Sequence, residues 1–200
     1  MSRSASTVRP HPHRVLLVAF FVSGAAGLVH EVAWTRLLRH VMGNSTFAVT
    51  TVLAVFLGGL ALGSRLAGGW IRSRRDPLRV FALLEVAVGL LGLAVPLLVG
   101  ALEPVYGALH RASSGTGPGL ALARALVASV ALLPAATAMG ATLPVLVRAV
   151  DRGRGEGVGG VIARLYALNT LGAVAGVLAA GFVLLPGLGL GSTIHVACEH

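Results

Sequence analysis

Five long apolar segments follow one another along this chain, and they restrict its fold more than any other feature. They cover residues 15–34, 46–71, 78–102, 119–147 and 158–185, and another begins at residue 191. A helix needs about 20 mostly apolar residues to cross the hydrocarbon core of a bilayer. We therefore predict an all-α, polytopic transmembrane helix bundle with five complete spans and a truncated sixth.

The composition agrees with a membrane protein. Hydrophobic residues make up 56% of the 200 positions and charged residues 12%, whereas about a quarter of the residues in soluble domains are charged. All 16 basic residues are arginines, and with seven acids they give a net charge of +9. Because these arginines lie between apolar segments without interleaved aromatic residues, we expect no nucleic-acid binding. The single cysteine, Cys198, excludes an internal disulfide framework.

The arginines also predict the orientation of the bundle. Residues 1–14 form a basic tail, and the second and fourth connections are rich in arginine, whereas the alternate connections hold Arg36 and Arg39 and then Arg111 alone. The positive-inside rule then places the N-terminus in the cytoplasm. We expect an integral membrane protein, of the bacterial plasma membrane. A cleaved signal peptide is the alternative for the first segment, but its apolar stretch is longer than such a peptide.

The sequence offers no catalytic or metal centre, and we expect no cofactor in this chain. Gly155, Gly157 and Gly160 match the spacing of a dinucleotide-binding loop. Such a loop must follow a strand and open a helix that holds pyrophosphate. Here an arginine-rich connection precedes the motif and a lipid-type helix follows it, so we interpret it as a simple loop.

Three polar residues lie inside the apolar segments, each on a helical stripe of small residues. Glu31 shares its stripe with Gly24 and Gly27, Glu85 with Gly89 and Gly92, and Asn169 with Gly172 and Gly176. Gly59 and Gly63 give the second span a similar face. Small residues mark the places where membrane helices approach closely. The polar groups are therefore predicted to face the bundle.

Buried charges in a membrane are costly and usually paired. Two arginines lie at suitable depths, and depth alone suggests that Glu31 pairs with Arg124 and Glu85 with Arg164. The alternatives are that these arginines extend to the lipid headgroups, or that the acids and Asn169 serve a substrate or ion. Beyond Trp34, the amphipathic residues up to Met42 are expected to lie in the outer interface.

Four ordered stretches resemble a known family. They are "SGAAGLVHEVAWTRLL" from Ser23, "STFAVTTVLAVFLGGLALGSRLAGG" from Ser45, "MGATLPVLVRA" from Met139 and "LYALNTLGAVAGVLAAGFVLLPGLGL" from Leu165. Together they resemble the N-terminal membrane domain of spermidine synthase-like membrane proteins, the fused MFS/spermidine synthase family. His30 stands where that family usually has tyrosine.

The resemblance implies an MFS-like bundle associated with a polyamine aminopropyltransferase. In that family, further helices and a soluble catalytic domain follow the matching region, and these 200 residues hold no counterpart of its glycine-rich motif or catalytic aspartate. One hypothesis is a membrane module that lacks the catalytic domain in this chain. The alternative is part of an MFS-type secondary transporter for polyamines or related cations. The expected partners are the lipid bilayer and a synthase domain or a polyamine substrate.

Overall fold

The computed structural model describes residues 12–42, 46–73, 76–112, 117–151 and 158–198, and these form an all-α bundle. The α-helices are α1 (Pro12–Met42), α2 (Thr46–Trp70), α3 (Pro77–Ala112), α4 (Pro118–Asp151), α5 (Val158–Ala179) and α6 (Leu185–Cys198). A 3-10 turn, Ile71–Ser73, follows α2, and a π-helical turn, Ala180–Leu184, joins α5 to α6. Five stretches of the described residues are long and apolar enough to cross a membrane. The predicted helical class is thus confirmed.

Several predicted features fall outside the described residues. They are the basic tail up to residue 11, the cap at residues 43–45, Arg74 and Arg75, most of the loop that starts at residue 113, and Gly155 and Gly157 of the glycine motif.

Helix α3 is longer than the sequence predicts. Its predicted end was Leu102, followed by a loop, but the helix continues through Glu103 and Pro104 to Ala112. The 36-residue helix is about 54 Å long, which exceeds the roughly 30 Å of a hydrocarbon core. The extension is held because Tyr106 is buried in the main core of the bundle. The helix is therefore longer than one perpendicular crossing of a bilayer requires.

The last residues of α1 lie beyond Trp34, where the sequence predicts an amphipathic continuation of the helix. They continue the same helix to Met42, and Trp34, Leu38 and Met42 are buried in one cluster with Tyr106 and Leu120. The apolar stripe of this segment packs against α3 and α4. Arg36, Arg39 and His40 lie on its exposed side. Packing against neighbouring helices therefore buries the apolar side of this segment.

Helices α1 and α5 form a closely packed parallel pair. Gly24 lies against Asn169, Gly172 against the carbonyl of Phe21, and Gly176 against Ala25. From Phe21 and Gly172 to Ala25 and Gly176 the contacting residues rise together in number along both helices, so the two helices run in the same direction. A side chain at Gly172 or Gly176 would overlap the backbone of α1. Absence of a Cβ is therefore what allows this approach.

Helices α2 and α4 form a second parallel pair of the same type. Gly59 packs against Ala136 and Gly63 against Thr137. Gly140 of α4, which the sequence analysis did not single out, packs against Leu60. Glycines of both helices therefore contribute to the contact. Helix α3 packs along α4 and completes the bundle.

The chain reverses direction at Gly189, close to the stop predicted at Pro186 and Gly187. Gly189 has a positive φ of 76°, a conformation that glycine adopts without steric cost. Pro186 lacks the N–H that an α-helix requires, and the π-helical turn lies directly before it. Beyond Gly189, Leu190 lies near Leu37 and Cys198 near His30. The last residues therefore return along α1.

The glycine contacts predict a position-specific stability effect within one helix. Gly63→Val places a branched side chain against the backbone of Thr137 and should lower the free energy of unfolding by about 1–3 kcal/mol. Gly58→Val is the matched control, because a Cβ at Gly58 meets no atom within 4 Å. Thermal unfolding of the detergent-purified variants measures the difference. Equal stability of the two variants would contradict the close pairing of α2 with α4.

Candidate functional site

A cleft remains between the two parallel helix pairs, because contacts between the pairs are fewer than contacts within them. The cavity has a volume of about 260 Å³ and is lined by residues of α1, α2, α4 and α5. Its polar lining residues are Ser23, Ser64, Thr142, Tyr166 and Asn169. Concave sites with a few polar groups in a mostly apolar wall are typical of small-molecule binding. This cleft is the candidate site.

Two of the four hydroxyl groups that line the cleft already donate their protons elsewhere. Ser23 Oγ donates to Glu85 Oε1 of α3 at 2.9 Å, and Thr142 Oγ1 donates to the carbonyl oxygen of Met139 at 2.7 Å. The Asn169 amide makes no side-chain hydrogen bond to any residue that the structure describes. The cleft therefore presents acceptor oxygens and one amide group that has no protein partner there.

Asn169 reaches the cleft because of the glycine contact on α1. The backbone and the side-chain oxygen of Asn169 lie against Gly24. Any side chain at Gly24 would displace Asn169. Gly27 lies one turn further along α1 and also lines the cavity. A Cβ at Gly27 would meet the Met139 sulfur only at an ordinary distance of 3.9 Å. Gly24 therefore packs against α5, whereas Gly27 opens space.

Glu31 belongs to a different part of the molecule. Its carboxylate is half-buried and accepts a hydrogen bond of 3.2 Å from Thr35 Oγ1. It lines a groove with Arg36, Arg39 and Leu185, at the end of α1 where α5 meets α6. The predicted acids Glu31 and Glu85 are thus not brought together. Glu31 faces the α5–α6 junction, and Glu85 faces Ser23.

The pairing of Glu31 with Arg124 that depth suggested is wrong. Arg124 Nε donates to the Tyr106 hydroxyl at 3.2 Å, and a terminal nitrogen donates to the Met42 carbonyl at 3.3 Å. Arg124 therefore binds the C-terminal end of α1, three turns beyond Glu31. Cations at this end of a helix satisfy its free carbonyl groups and interact favourably with its dipole.

Arg164, the partner that depth suggested for Glu85, is exposed on α5. Helix α5 packs mainly on α1, whereas Glu85 lies on α3 and accepts its hydrogen bond from α1. Of the other predicted glycines on α3, Gly92 lies against His30, and Gly89 is close to the backbone of Cys198. The α3 stripe therefore packs on the returning sixth segment as well as on α1.

A contact between buried His30 and half-buried Cys198 was not foreseen from the sequence. His30 is fully buried; its Nδ1 lies 2.9 Å from the Ala26 carbonyl and its Nε2 3.1 Å from Cys198 Sγ. A carbonyl only accepts, so we assign the ring proton to Nδ1 and the thiol as donor to Nε2. The ring also stacks at 4.9 Å on Trp34. This bond fastens the sixth segment to α1.

The chain is similar to curated proteins named polyamine aminopropyltransferase. Polyamine aminopropyltransferase 2 of Streptomyces coelicolor is 34% identical over 183 residues, which are 91% of this chain and 31% of that protein. Polyamine aminopropyltransferase 1 of the same organism is 30% identical over 176 residues, and the Mycobacterium tuberculosis protein is 30% identical over 179 residues. Each of these alignments covers 88% of this chain.

The chain spans less than a third of the length of the curated relatives it matches. No family model matches it, and no solved structure is similar to it. The similarity nevertheless extends over nearly the whole chain. It agrees with the predicted resemblance to spermidine synthase-like proteins, and it relates this bundle to one part of them.

The contacts of Arg124 predict a role in stability. Arg124→Gln removes charged hydrogen bonds to Tyr106 and Met42, each worth roughly 1.5–3 kcal/mol, and should lower the unfolding temperature clearly. Arg164→Gln is the control, because this exposed side chain should change stability by only about 0.5 kcal/mol. Thermal unfolding in detergent compares the two. A larger loss for Arg164→Gln would show that the assigned contacts do not hold the end of α1.

Proposed function

We propose that this chain is the membrane module of a spermidine synthase-like polyamine aminopropyltransferase. The supporting observation is the similarity of 88–91% of the chain to proteins of that name, in a sequence with five helices of membrane-spanning length. The module would anchor the enzyme in the bilayer and hold its catalytic part close to the membrane. The relatives' remaining length offers room for that catalytic part.

The chemistry of aminopropyl transfer supports this division of labour. The reaction needs a pocket for decarboxylated S-adenosylmethionine and acidic groups that hold the diamine and deprotonate its attacking nitrogen. In the described residues, Gly187, Gly189 and Gly191 lie within α6, and no strand is present beside them. Glu31 and Glu85 lie on separate sites of the bundle. The reaction is therefore assigned to a catalytic domain and not to these helices.

The arginine distribution supports an orientation with the N-terminus in the cytoplasm of a bacterial cell. In this orientation the cytoplasmic ends of α2 and α4 carry Arg72 and Arg148. The alternative of an MFS-type polyamine transporter receives no support from the relatives described above, whose names all denote aminopropyltransferases. We therefore favour the membrane module.

A domain exchange tests this function. The matching segment of the S. coelicolor relative is either deleted or replaced by this chain, and both proteins are fractionated and assayed for spermidine formation. We expect the exchanged protein to remain in carbonate-washed membranes with its activity, and the deleted protein to leave the membrane fraction. Retention of the deleted protein in membranes to the original extent would contradict an anchoring role.

The isolated chain provides the complementary control. Purified protein incubated with putrescine and decarboxylated S-adenosylmethionine should form no spermidine above a boiled sample. Turnover above that level would place the reaction in the helices themselves and overturn the proposed division.

A further inference from the structure

We propose that the cleft between the α1/α5 and α2/α4 pairs binds a linear alkylamine through its ammonium group. The proposal rests on the proposed function only for the choice of a diamine as the ligand. The site itself follows from the residues that line the cleft. None of the lining residues has been assigned a role in catalysis or anchoring.

The hydrogen-bonding capacity of the cleft favours a ligand rich in donors. The Ser23 and Thr142 protons are committed to Glu85 and to the Met139 carbonyl, so their oxygens offer only lone pairs to the cleft. A hydroxyl that donates to a carboxylate also becomes a stronger acceptor. An ammonium group, which has three donors and no acceptor, complements such a wall. The donors left in the lining are the Ser64 and Tyr166 hydroxyls, on the exposed side of the cleft, and the Asn169 amide nitrogen, and none of these is a cation that would balance a carboxylate or phosphate.

The Asn169 amide supplies the third acceptor. Its side chain makes no hydrogen bond within the described part of the chain, so its carbonyl oxygen can accept one from a ligand. Asn169 lies on α5, which packs against α1, and the cleft separates it from α2 and α4. A bound ammonium would satisfy its carbonyl oxygen.

The charges around the cleft also favour a cation. Its lining contains no arginine or histidine among the described residues. The Glu85 carboxylate accepts the hydrogen bond of Ser23, which lines the cleft. It is therefore the charged group linked most directly to the cleft. A partly buried carboxylate acts over several ångströms with less screening than one in water. The field in the cleft therefore favours positive over negative ligands.

The size and apolar part of the cleft suit a short carbon chain. Its volume of about 260 Å³ equals that of roughly nine liquid water molecules, too little for a nucleoside with its side chain. Phe20, Phe56 and Leu143 provide apolar walls against which methylene groups pack. Ser64 and Tyr166 line the cavity and are exposed, so the cleft is open to its surroundings on that side.

A binding experiment on the detergent-purified full chain tests the proposal. Radiolabelled 1,4-diaminobutane is the probe, and unlabelled n-butylamine and 1-butanol are competitors of equal chain length. We expect saturable binding that n-butylamine displaces and 1-butanol does not. Displacement by 1-butanol at the same concentration would overturn the proposal, because the cleft would then recognise only the carbon chain. An absence of saturable binding would also overturn it.

Two matched pairs of variants locate the site. Gly27→Leu fills the cleft without a backbone clash and should weaken binding at least tenfold, whereas Gly100→Leu, where a Cβ meets open space, should not. Asn169→Leu should weaken binding similarly, whereas Thr170→Val, one residue on, removes an exposed hydroxyl and should not. Should Gly27→Leu fail to fold, the second pair decides. Unchanged affinity in Asn169→Leu would place any binding elsewhere and overturn the assignment.

Glu85→Gln removes the negative charge and keeps the size of the side chain. Its amide oxygen can still accept the hydrogen bond from Ser23. We expect weaker binding of the diamine with unchanged unfolding temperature. Unchanged diamine affinity would contradict the role of the carboxylate. These results are independent of the domain exchange, since a bundle can anchor a synthase with or without a ligand in its cleft.

Discussion

The structure depends on backbone contacts between helices that glycine makes possible. Gly172 and Gly176 allow α5 to lie against α1, and Gly63 and Gly140 do the same for α2 and α4. In lipid, apolar side chains gain little by leaving one apolar environment for another, so close packing must hold helices together. Two tight parallel pairs result, and the looser contacts between them leave the cleft.

The same arrangement decides how the polar groups are satisfied. Ser23 lies on the side of α1 that meets α3, so its hydroxyl reaches Glu85. Arg124 lies at the end of the bundle where α1 ends at Met42 and Tyr106 is buried. Neither contact needs the acid–arginine pairs expected from depth. Hydroxyls and helix-end carbonyls provide the partners instead.

Much of this fold is predictable from the sequence, because length and hydropathy determine the spans and small-residue stripes mark helix contacts. The positions of Gly59, Gly63, Gly172 and Gly176 on those stripes agree with where the helices approach. Depth along a helix, however, does not tell which way a side chain points around it. Arg124 and Glu31 were matched in depth without knowing which helices are neighbours, and this is why their pairing was wrong.

Other features depend on contacts between distant residues. His30 and Cys198 are 168 residues apart, and no local sequence pattern indicates the hydrogen bond between them. The extension of α3 beyond Pro104 depends on the burial of Tyr106 by other helices. The candidate cleft combines residues of four helices, so it becomes visible only once the pairs are formed.

The parallel pairing of α1 with α5 is the central claim, and a spin-label distance measurement tests it directly. Labels are placed at the exposed residues Val18 and Ile162, or at Val18 and Phe182, with Cys198→Ser in both proteins. In the register set by Phe21 and Gly172, parallel helices put Val18 and Phe182 about 20 Å apart in height, and Val18 and Ile162 about 10 Å apart; antiparallel helices would reverse this order. The parallel pairing predicts the shorter distance for Val18 and Ile162. A shorter distance between Val18 and Phe182 would contradict it.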